Sequence, residues 1–243
     1  MLSKEGVYTY VIDAYLTDFR GKATLPMLGG FMLQAATRHA EERNFGYSYM
    51  TNRQRAWVLM RMSIELSAYP NNDTVIKLHT WVAEVSKLFT ERCFAFEDQE
   101  GNYFGYARTM WASIDLETRR PTNILELEGL TNYKHDKPCF ANTSKIPLLK
   151  DDASKVTTFE VKYSDIDINK HLNSMKYIEH IVDVFPLDKY EEQEIKTFDI
   201  NYIAEGQYRS ILDIYQKKTD TDTSVLEMRD NEKVICSARV IWK

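Results

Sequence analysis

The densest group of polar side chains in the sequence lies between Tyr163 and Ser174. Within it, Asp167, Asn169 and His171 occupy every second position, so their side chains would point the same way if the segment is extended. Histidine exchanges protons near neutral pH, a carboxylate orients it or polarises water, and a carboxamide donates to a developing oxyanion. These side chains could therefore act together on one reacting group.

The same residues have a plainer interpretation as a turn and a helix cap, because Asp, Asn and Ser are common in both. Capping needs few side chains, whereas this stretch spaces four polar residues between apolar Ile166, Ile168 and Leu172. The helix predicted to follow also offers free backbone N–H groups and the positive end of its dipole. The group as a whole therefore favours a functional site over a simple cap.

Two helices are predicted to position these residues and the strands around them. The first covers 26–43, because Pro26 suits a first helical turn and a long apolar run follows it. The second covers 174–185, where apolar residues follow helical spacing until Pro186 stops the helix. Each helix precedes a run of strands, and the second one begins directly after the polar segment.

Alternating apolar and polar residues predict an antiparallel meander after the first helix. Its clearest strand is 58–66, in which alternate residues would form one buried face. Further strands are predicted near 74–83, 87–97 and 103–116, and the last two are joined by a hairpin turn around Gly101. The predicted face of the clearest strand consists of Val58, Met60, Met62, Ile64 and Leu66.

The order of helix and strands occurs twice, which indicates an internal repeat. Residues 107–111 also resemble residues 238–242, so the closing strands correspond. Both halves are predicted to be of α+β type, each with one long helix packed on an antiparallel β-sheet. We expect an N-terminal domain over 1–130, a solvated linker over 131–154 and a C-terminal domain over 155–243.

Composition and cysteine usage limit the class of protein. The 31 basic and 36 acidic residues give a net charge of -5, which argues against nucleic-acid binding through a globally basic surface. Cys93, Cys139 and Cys236 are odd in number and match no metal or redox spacing, so free thiols in a reducing compartment are expected. Without a signal sequence or a long apolar run, we expect a soluble cytoplasmic protein and no membrane insertion.

Two segments carry a resemblance to a known family. Residues 163–178 match without gaps the signature Asp-x-Asn-x-His-x-Asn-x-x-Lys-Tyr-Ile of plant and bacterial acyl-acyl carrier protein (acyl-ACP) thioesterases. Residues 202–212 look like the same family's strand Tyr-x-x-Glu-Cys-Gly-x-Asp-Ser-Val-Leu. The resemblance covers nearly the whole chain and implies a tandem, or double, hotdog fold.

The resemblance implies a catalytic site made of Asp167, Asn169, His171 and Glu205. This site would hydrolyse fatty acyl-ACP to free fatty acid and ACP, which ends fatty acid synthesis. Asn169 and His171 would position and polarise the thioester carbonyl and the attacking group. Asp167 would be the nucleophile or water activator, and Glu205 would help to organise water. Gly206 stands where the plant enzymes carry a cysteine, so a cysteine–histidine mechanism is excluded at that position.

We expect no metal and no cofactor, because thioester hydrolysis needs only a positioned nucleophile and oxyanion stabilisation. The histidines also show no metal-ligand spacing. The resemblance places the acyl chain in the N-terminal half and favours a homodimer. The candidates to line the acyl tunnel, for which an ordinary core role is the alternative, are Phe31, Met32, Ala35, Met60, Met62 and Ile64.

The partner implied by the resemblance is acylated ACP, which is acidic and should meet a locally basic surface. The pairs that could supply this surface are Arg53 and Arg55, Arg119 and Arg120, and Lys170 and Lys176. Two other functions stay open, a hotdog thioesterase acting on acyl-CoA and a catalytically silent acyl-binding hotdog protein. The intact polar cluster weighs against the silent protein, and a dehydratase would use a different arrangement of histidine and acid.

Overall fold

The computed structural model describes residues 2–150 and 152–243. The chain divides between Thr143 and Ser144 into two units, which are described separately below. This division falls inside 131–154, the segment expected to be a linker, whose residue Asp151 lies outside the described part. The finer domain bounds stay a prediction.

The elements of the first unit are β1 (Glu5–Val11), α1 (Leu25–Glu42), α2 (Tyr47–Thr51), β2 (Arg55–Leu66), β3 (Val75–Val85), β4 (Thr90–Glu97) and β5 (Tyr103–Asp115). The strands form an antiparallel sheet with the order β1-β3-β4-β5-β2, and α1 packs on it. Since β3, β4 and β5 are neighbours in sequence and in the sheet, the predicted meander is confirmed for these three strands. It is wrong for β2, which pairs with β5 and not with the next strand along the chain. The turn between β4 and β5 contains Gly101 with a φ of 87°, a conformation that glycine adopts without strain.

The helix α1 begins where the sequence places a capping residue and a proline. Thr24 Oγ1 accepts a hydrogen bond from Met27 N (3.4 Å), and Pro26 occupies the first turn, where its missing N–H leaves no bond unmade. The observed helix, Leu25–Glu42, agrees closely with the predicted one. Its buried residues are Leu25, Met27, Leu28, Gly29, Met32, Ala35, Ala36, His39 and Ala40.

A β-bulge in β2 makes the prediction of one continuous buried face wrong. The register of β2 against β5 shifts between Leu59 and Arg61, so β2 has an extra residue at this point. Leu59 and Met62 are buried, whereas Met60 is 36% exposed. Because an extra residue reverses the alternation of side chains, Leu59 takes the buried position predicted for Met60.

A buried imidazole and a buried guanidinium lie in contact between α1 and the sheet. Arg92 Nη1 donates to His39 Nδ1 (3.1 Å) and to Thr80 Oγ1 (3.2 Å). Arginine is only a donor, so His39 Nδ1 carries no proton and His39 Nε2 donates to Lys4 O (3.1 Å). Burial, followed by the charges of Arg92 and Arg43, lowers the pKa of His39 to about 2.

Acid should destabilise the protein through His39. The unfolded chain takes up a proton at this residue below about pH 6.5, whereas the folded protein keeps it neutral down to its lowered pKa of about 2. The contribution of His39 to stability is therefore full above about pH 6.5, and it falls by about 1.4 kcal/mol per pH unit below that value.

Urea denaturation at about pH 7.5 and about pH 5.5 measures this effect. Between the two conditions the wild type should lose about 1.4 kcal/mol more of its free energy of unfolding than His39→Gln, whose side chain does not titrate. The glutamine amide can still donate to the Lys4 carbonyl, so the variant keeps one of the native bonds. Equal losses in the two proteins would contradict the prediction.

The segment after β5 is not solvated along its whole length, contrary to expectation. Trp81 Nε1 donates to Lys137 O (3.1 Å), and Lys137 Nζ lies 2.6 Å from Glu5 Oε1. Ala141 is also buried. Residues 134–138 carry many charged side chains and therefore resemble a linker in sequence, but the carbonyl and the ammonium group of Lys137 have partners in β3 and β1.

The prediction of free thiols is wrong for two of the cysteines. Cys93 in β4 and Cys139 form a disulfide, whereas Cys236 is a free buried thiol. The disulfide partners are 46 residues apart in sequence, and only the folding of the chain shows that they meet. The prediction of a reducing compartment rested on free thiols, and the disulfide removes that support.

The elements of the second unit are β6 (Ser154–Glu160), α3 (Ser174–Val182), α4 (Leu187–Glu192), β7 (Ile195–Tyr202), β8 (Ile211–Asp220), β9 (Thr223–Asp230) and β10 (Lys233–Trp242). The strand order is β7-β10-β9-β8-β6, again antiparallel. Read from the other end, this order repeats that of the first unit, with one strand and a helix preceding the rest. The predicted α+β class and internal repeat are confirmed.

The helix α3 follows the polar segment directly, as predicted. Asn173 Oδ1 accepts a hydrogen bond from Met175 N (2.8 Å) and caps the helix. Tyr177, Ile178 and Ile181 form its buried face. In the described part of the chain, no helix combines the length and apolar character that crossing a membrane requires.

Candidate active site

The polar segment that follows β6 forms a tight turn, so the extended conformation in which alternate side chains would point the same way does not occur. Asp167 N donates to His171 O (2.9 Å), and Lys170 N donates to Asp167 O (3.0 Å). Asp167 Oδ1 accepts from Asn169 N (2.8 Å) and His171 N (3.2 Å), which closes the turn from within. Lys170 has a φ of 63°, in the left-handed region. Alternation along an extended strand therefore does not set the directions of these side chains.

The turn is fixed to the chain that follows β7. Leu172 N donates to Gly206 O (2.9 Å), and His171 forms a β-bridge with Gln207. A second bridge, between Ile166 and Leu172, holds the two ends of the turn together. These backbone contacts bring the turn alongside Glu205, which is distant in sequence.

The result is a close pair of titratable side chains. His171 Nε2 lies 3.2 Å from Glu205 Oε2, and the side chains are 24% and 41% exposed. A carboxylate at this distance orients the imidazole, and the partial exposure leaves the pair accessible to water and substrate. Two of the predicted catalytic residues are therefore in direct contact.

The other two predicted catalytic residues border this pair. One oxygen of Asp167 is engaged by turn amides, and its second oxygen, Oδ2, makes no hydrogen bond to another described residue. Asn169 is exposed, and within the described chain its carboxamide has no hydrogen-bond partner. Asn169 can therefore donate to a bound carbonyl oxygen.

A buried tyrosine that sequence reasoning did not select lies beneath Glu205. The Tyr177 hydroxyl accepts from Gly206 N (2.8 Å) and donates to Ala204 O (3.2 Å). Burial raises the pKa of Tyr177, and the charges of Glu205 and Asp167 raise it further, so both carboxylates act on the same phenol. A signal was present in the sequence, because Tyr177 belongs to the Lys-Tyr-Ile end of the matching signature.

Cysteine has no place in this site. A Cβ at Gly206 would lie 3.0 Å from Leu172 Cβ and 3.1 Å from Leu172 Cδ2, so glycine allows the close approach of the turn. Cys236 is buried, and burial raises the pKa of its thiol, which opposes thiolate formation. The remaining cysteines are joined in the disulfide.

The residues predicted to line an acyl tunnel differ in their surroundings. Met32, Ala35, Met62 and Ile64 are buried in the core of the first unit. Phe31 is half-buried and stacks on Tyr10, with ring centroids 4.2 Å apart. Met60 lies outside the buried face because of the bulge in β2.

Comparison with known proteins identifies the family and the fold of the chain. The acyl-ACP thioesterase N-terminal domain matches residues 6–128, and the acyl-ACP thioesterase C-terminal domain matches residues 149–243. The crystal structure of an acyl-ACP thioesterase from Bacteroides thetaiotaomicron is 37% identical, with a TM-score of 0.94 over 99% of this chain and 98% of that one. The 12:0-ACP thioesterase from Umbellularia californica is 19% identical and shares the fold, with a TM-score of 0.90 over 100% and 98% of the two chains.

The fold formed by two such helix-and-sheet units is the double hotdog. The chain belongs to the acyl-ACP thioesterase family. Among curated relatives, oleoyl-acyl carrier protein thioesterase 2, a chloroplastic protein of Arabidopsis thaliana, is 25% identical over 223 residues. The match covers 84% of this chain and 60% of that relative's length.

Proposed function

We propose that this protein hydrolyses fatty acyl-ACP to free fatty acid and ACP and so ends fatty acid synthesis. The observation that carries the proposal is the His171–Glu205 pair, 3.2 Å apart, held at the surface by the turn that contains the family signature. The names of the Bacteroides, Umbellularia and Arabidopsis relatives describe thioesterases of acyl-ACP substrates. Hydrolysis of the same class of thioester follows from family membership together with this site.

In the proposed reaction, His171 transfers the proton. Glu205 accepts the Nε2–H of the imidazole, which leaves Nδ1 as the basic nitrogen. As water attacks the thioester carbonyl carbon, Nδ1 takes its proton, and Asn169 donates to the oxygen that becomes negative. When the carbon–sulfur bond breaks, the imidazolium returns the proton to the departing thiolate. Fatty acid and the free thiol of ACP are the products.

Asp167 has two tasks in this proposal. Its Oδ1 shapes the turn, and its negative charge stabilises the imidazolium that forms at His171. The interpretation of Asp167 as the nucleophile or as the group that takes the proton from water stays a competing prediction.

The acyl chain and ACP complete the proposal. Buried Met32, Ala35, Met62 and Ile64 support an apolar site for the acyl chain in the first unit, with Phe31 at its border, whereas exposed Met60 supports it least. Cytoplasmic location and homodimer formation stay predictions.

Among the basic pairs, Lys170 is the best candidate to meet acidic ACP, because it is exposed on the catalytic turn. Arg55 and Lys176 are less available, since their charges are paired with Glu126 (2.8 Å) and Glu179 (2.7 Å).

Product analysis with a panel of acyl-ACPs tests the function. Free fatty acid should be released, and kcat/KM should exceed that for acyl-CoA of equal chain length by about tenfold or more, since only ACP offers an acidic protein surface. A preference for acyl-CoA would overturn the proposed substrate. Tight acyl binding without hydrolysis would show the silent acyl-binding protein instead.

A further inference from the structure

One buried phenol holds the backbone on both sides of Glu205. The Tyr177 hydroxyl accepts from Gly206 N (2.8 Å) and donates to Ala204 O (3.2 Å), and these residues directly flank Glu205 in sequence. Tyr177 is 3% exposed, so water does not readily replace either bond. The chain between the two bonded groups carries the carboxylate that faces His171.

We propose that Tyr177 is a positioning residue that fixes Glu205 against His171. The inference rests on the hydrolytic function proposed above and extends it to a side chain outside the reacting groups. Tyr177 acts through Glu205, because its hydroxyl is used by two backbone groups and is closed off from the surface.

Helix capping and ring packing hold the Tyr177 side chain in place. Tyr177 lies in α3, whose first turn is capped by Asn173 directly after the catalytic turn. The ring packs edge-on against Tyr202, with centroids 5.4 Å apart. The helix that follows His171 therefore also holds the backbone of Glu205. Both members of the pair are thus positioned by the same helix.

Only a neutral phenol can both donate and accept in this way. Burial is the main cause of the raised pKa of Tyr177, and the nearby Glu205 and Asp167 carboxylates add to it. The hydroxyl therefore keeps its proton across the range in which a thioesterase is assayed.

Phenylalanine at this position removes the hydroxyl and keeps the ring. Gly206 N and Ala204 O then lose a buried partner, and the backbone at Glu205 gains freedom to move toward water. Since a small misplacement of a catalytic group is costly, kcat should fall by about tenfold or more in Tyr177→Phe. KM should stay within about twofold, because no group proposed to hold the acyl chain or ACP changes.

Tyr202→Phe is the matched control. The Tyr202 hydroxyl donates to Ser174 O (3.0 Å), and its ring packs edge-on against that of Tyr177. Within the described chain this hydroxyl makes no hydrogen bond to either neighbour of Glu205. This variant should keep kcat within about twofold. An equal fall in kcat in both variants would overturn the inference, since it would show general loosening of the second unit.

A double-mutant cycle separates positioning from a purely structural role. If Tyr177 acts through Glu205, Tyr177→Phe should change kcat by less than about twofold when Glu205 is already alanine. A loss that persists in the Glu205→Ala background would contradict the inference. Unchanged kcat in Tyr177→Phe alone would contradict it as well.

Hydrogen exchange of the Gly206 amide gives a readout independent of activity. Exchange should be slow in the wild type and faster by about tenfold or more in Tyr177→Phe. Fast exchange in the wild type would overturn the inference even if the variant does not fold. A wild type that protects the Gly206 amide but releases no fatty acid would refute the proposed function. The hydrogen bonds of Tyr177 to the backbone beside Glu205 would still be supported.

Discussion

Alanine in place of His171 should lower kcat for acyl-ACP by a factor of about 10² to 10⁴, the range typical for loss of a general base. In the His171–Glu205 pair, the imidazole is the group suited to taking and returning a proton. Once the imidazole is gone, Glu205 has no ring to orient. The turn should survive, because Asp167 binds the backbone N–H of His171 and not its ring. The variant should therefore lose the chemical step and keep its fold.

Steady-state kinetics with one acyl-ACP and a thermal melt of each protein measure this result. His135→Ala is the control, since His135 is a partly exposed histidine of the first unit whose ring accepts a backbone N–H from Lys137 (2.9 Å). The control should keep kcat within about threefold. Full activity in folded His171→Ala would refute the proposed role of the imidazole.

The periodicity of the sequence predicted the helices and strands but not the local irregularities within them. The helix that begins after Thr24 and the repeated order of strands follow from capping, proline placement and alternation. The bulge that exposes Met60 has no signal in the alternating run 58–66, because its apolar residues suit either register until β5 pairs with them. The Cys93–Cys139 bond likewise depends on a long-range approach.

The residues proposed for the site follow from the sequence and the family resemblance, whereas the shape of the segment that holds them does not. Asp167, Asn169 and His171 alternate and would share one direction in an extended segment. Asp167 competes with extension, because its side chain accepts hydrogen bonds from nearby backbone amides. Glu205 came only from resemblance, since nothing local places it beside His171. Tyr177 lies in the matching signature but was not selected, because periodicity alone does not distinguish a functional aromatic residue on an amphipathic helix from a core residue.

Asparagine in place of Asp167 should lower kcat by a factor of about 10² to 10³, the cost of losing a preorganised charge in an active site. An asparagine Oδ1 can still accept from Asn169 N and His171 N, so the turn should keep its shape. What the variant removes is the negative charge that stabilises the imidazolium of His171 during the reaction. The melting temperature of the variant should therefore change little, while its kcat falls.

Asp165→Asn supplies the comparison, because it makes the same chemical change in the same loop. Asp165 Oδ2 accepts from Lys162 N (2.8 Å), a backbone bond like those of Asp167. Asp165 is buried, its Oδ1 lies 3.7 Å from His180 Nε2, and it has no proposed part in catalysis. Its variant should keep kcat within about threefold. If folded Asp167→Asn were equally active, Asp167 would serve the turn alone, and His171 with Glu205 would carry the proton transfer without a second carboxylate.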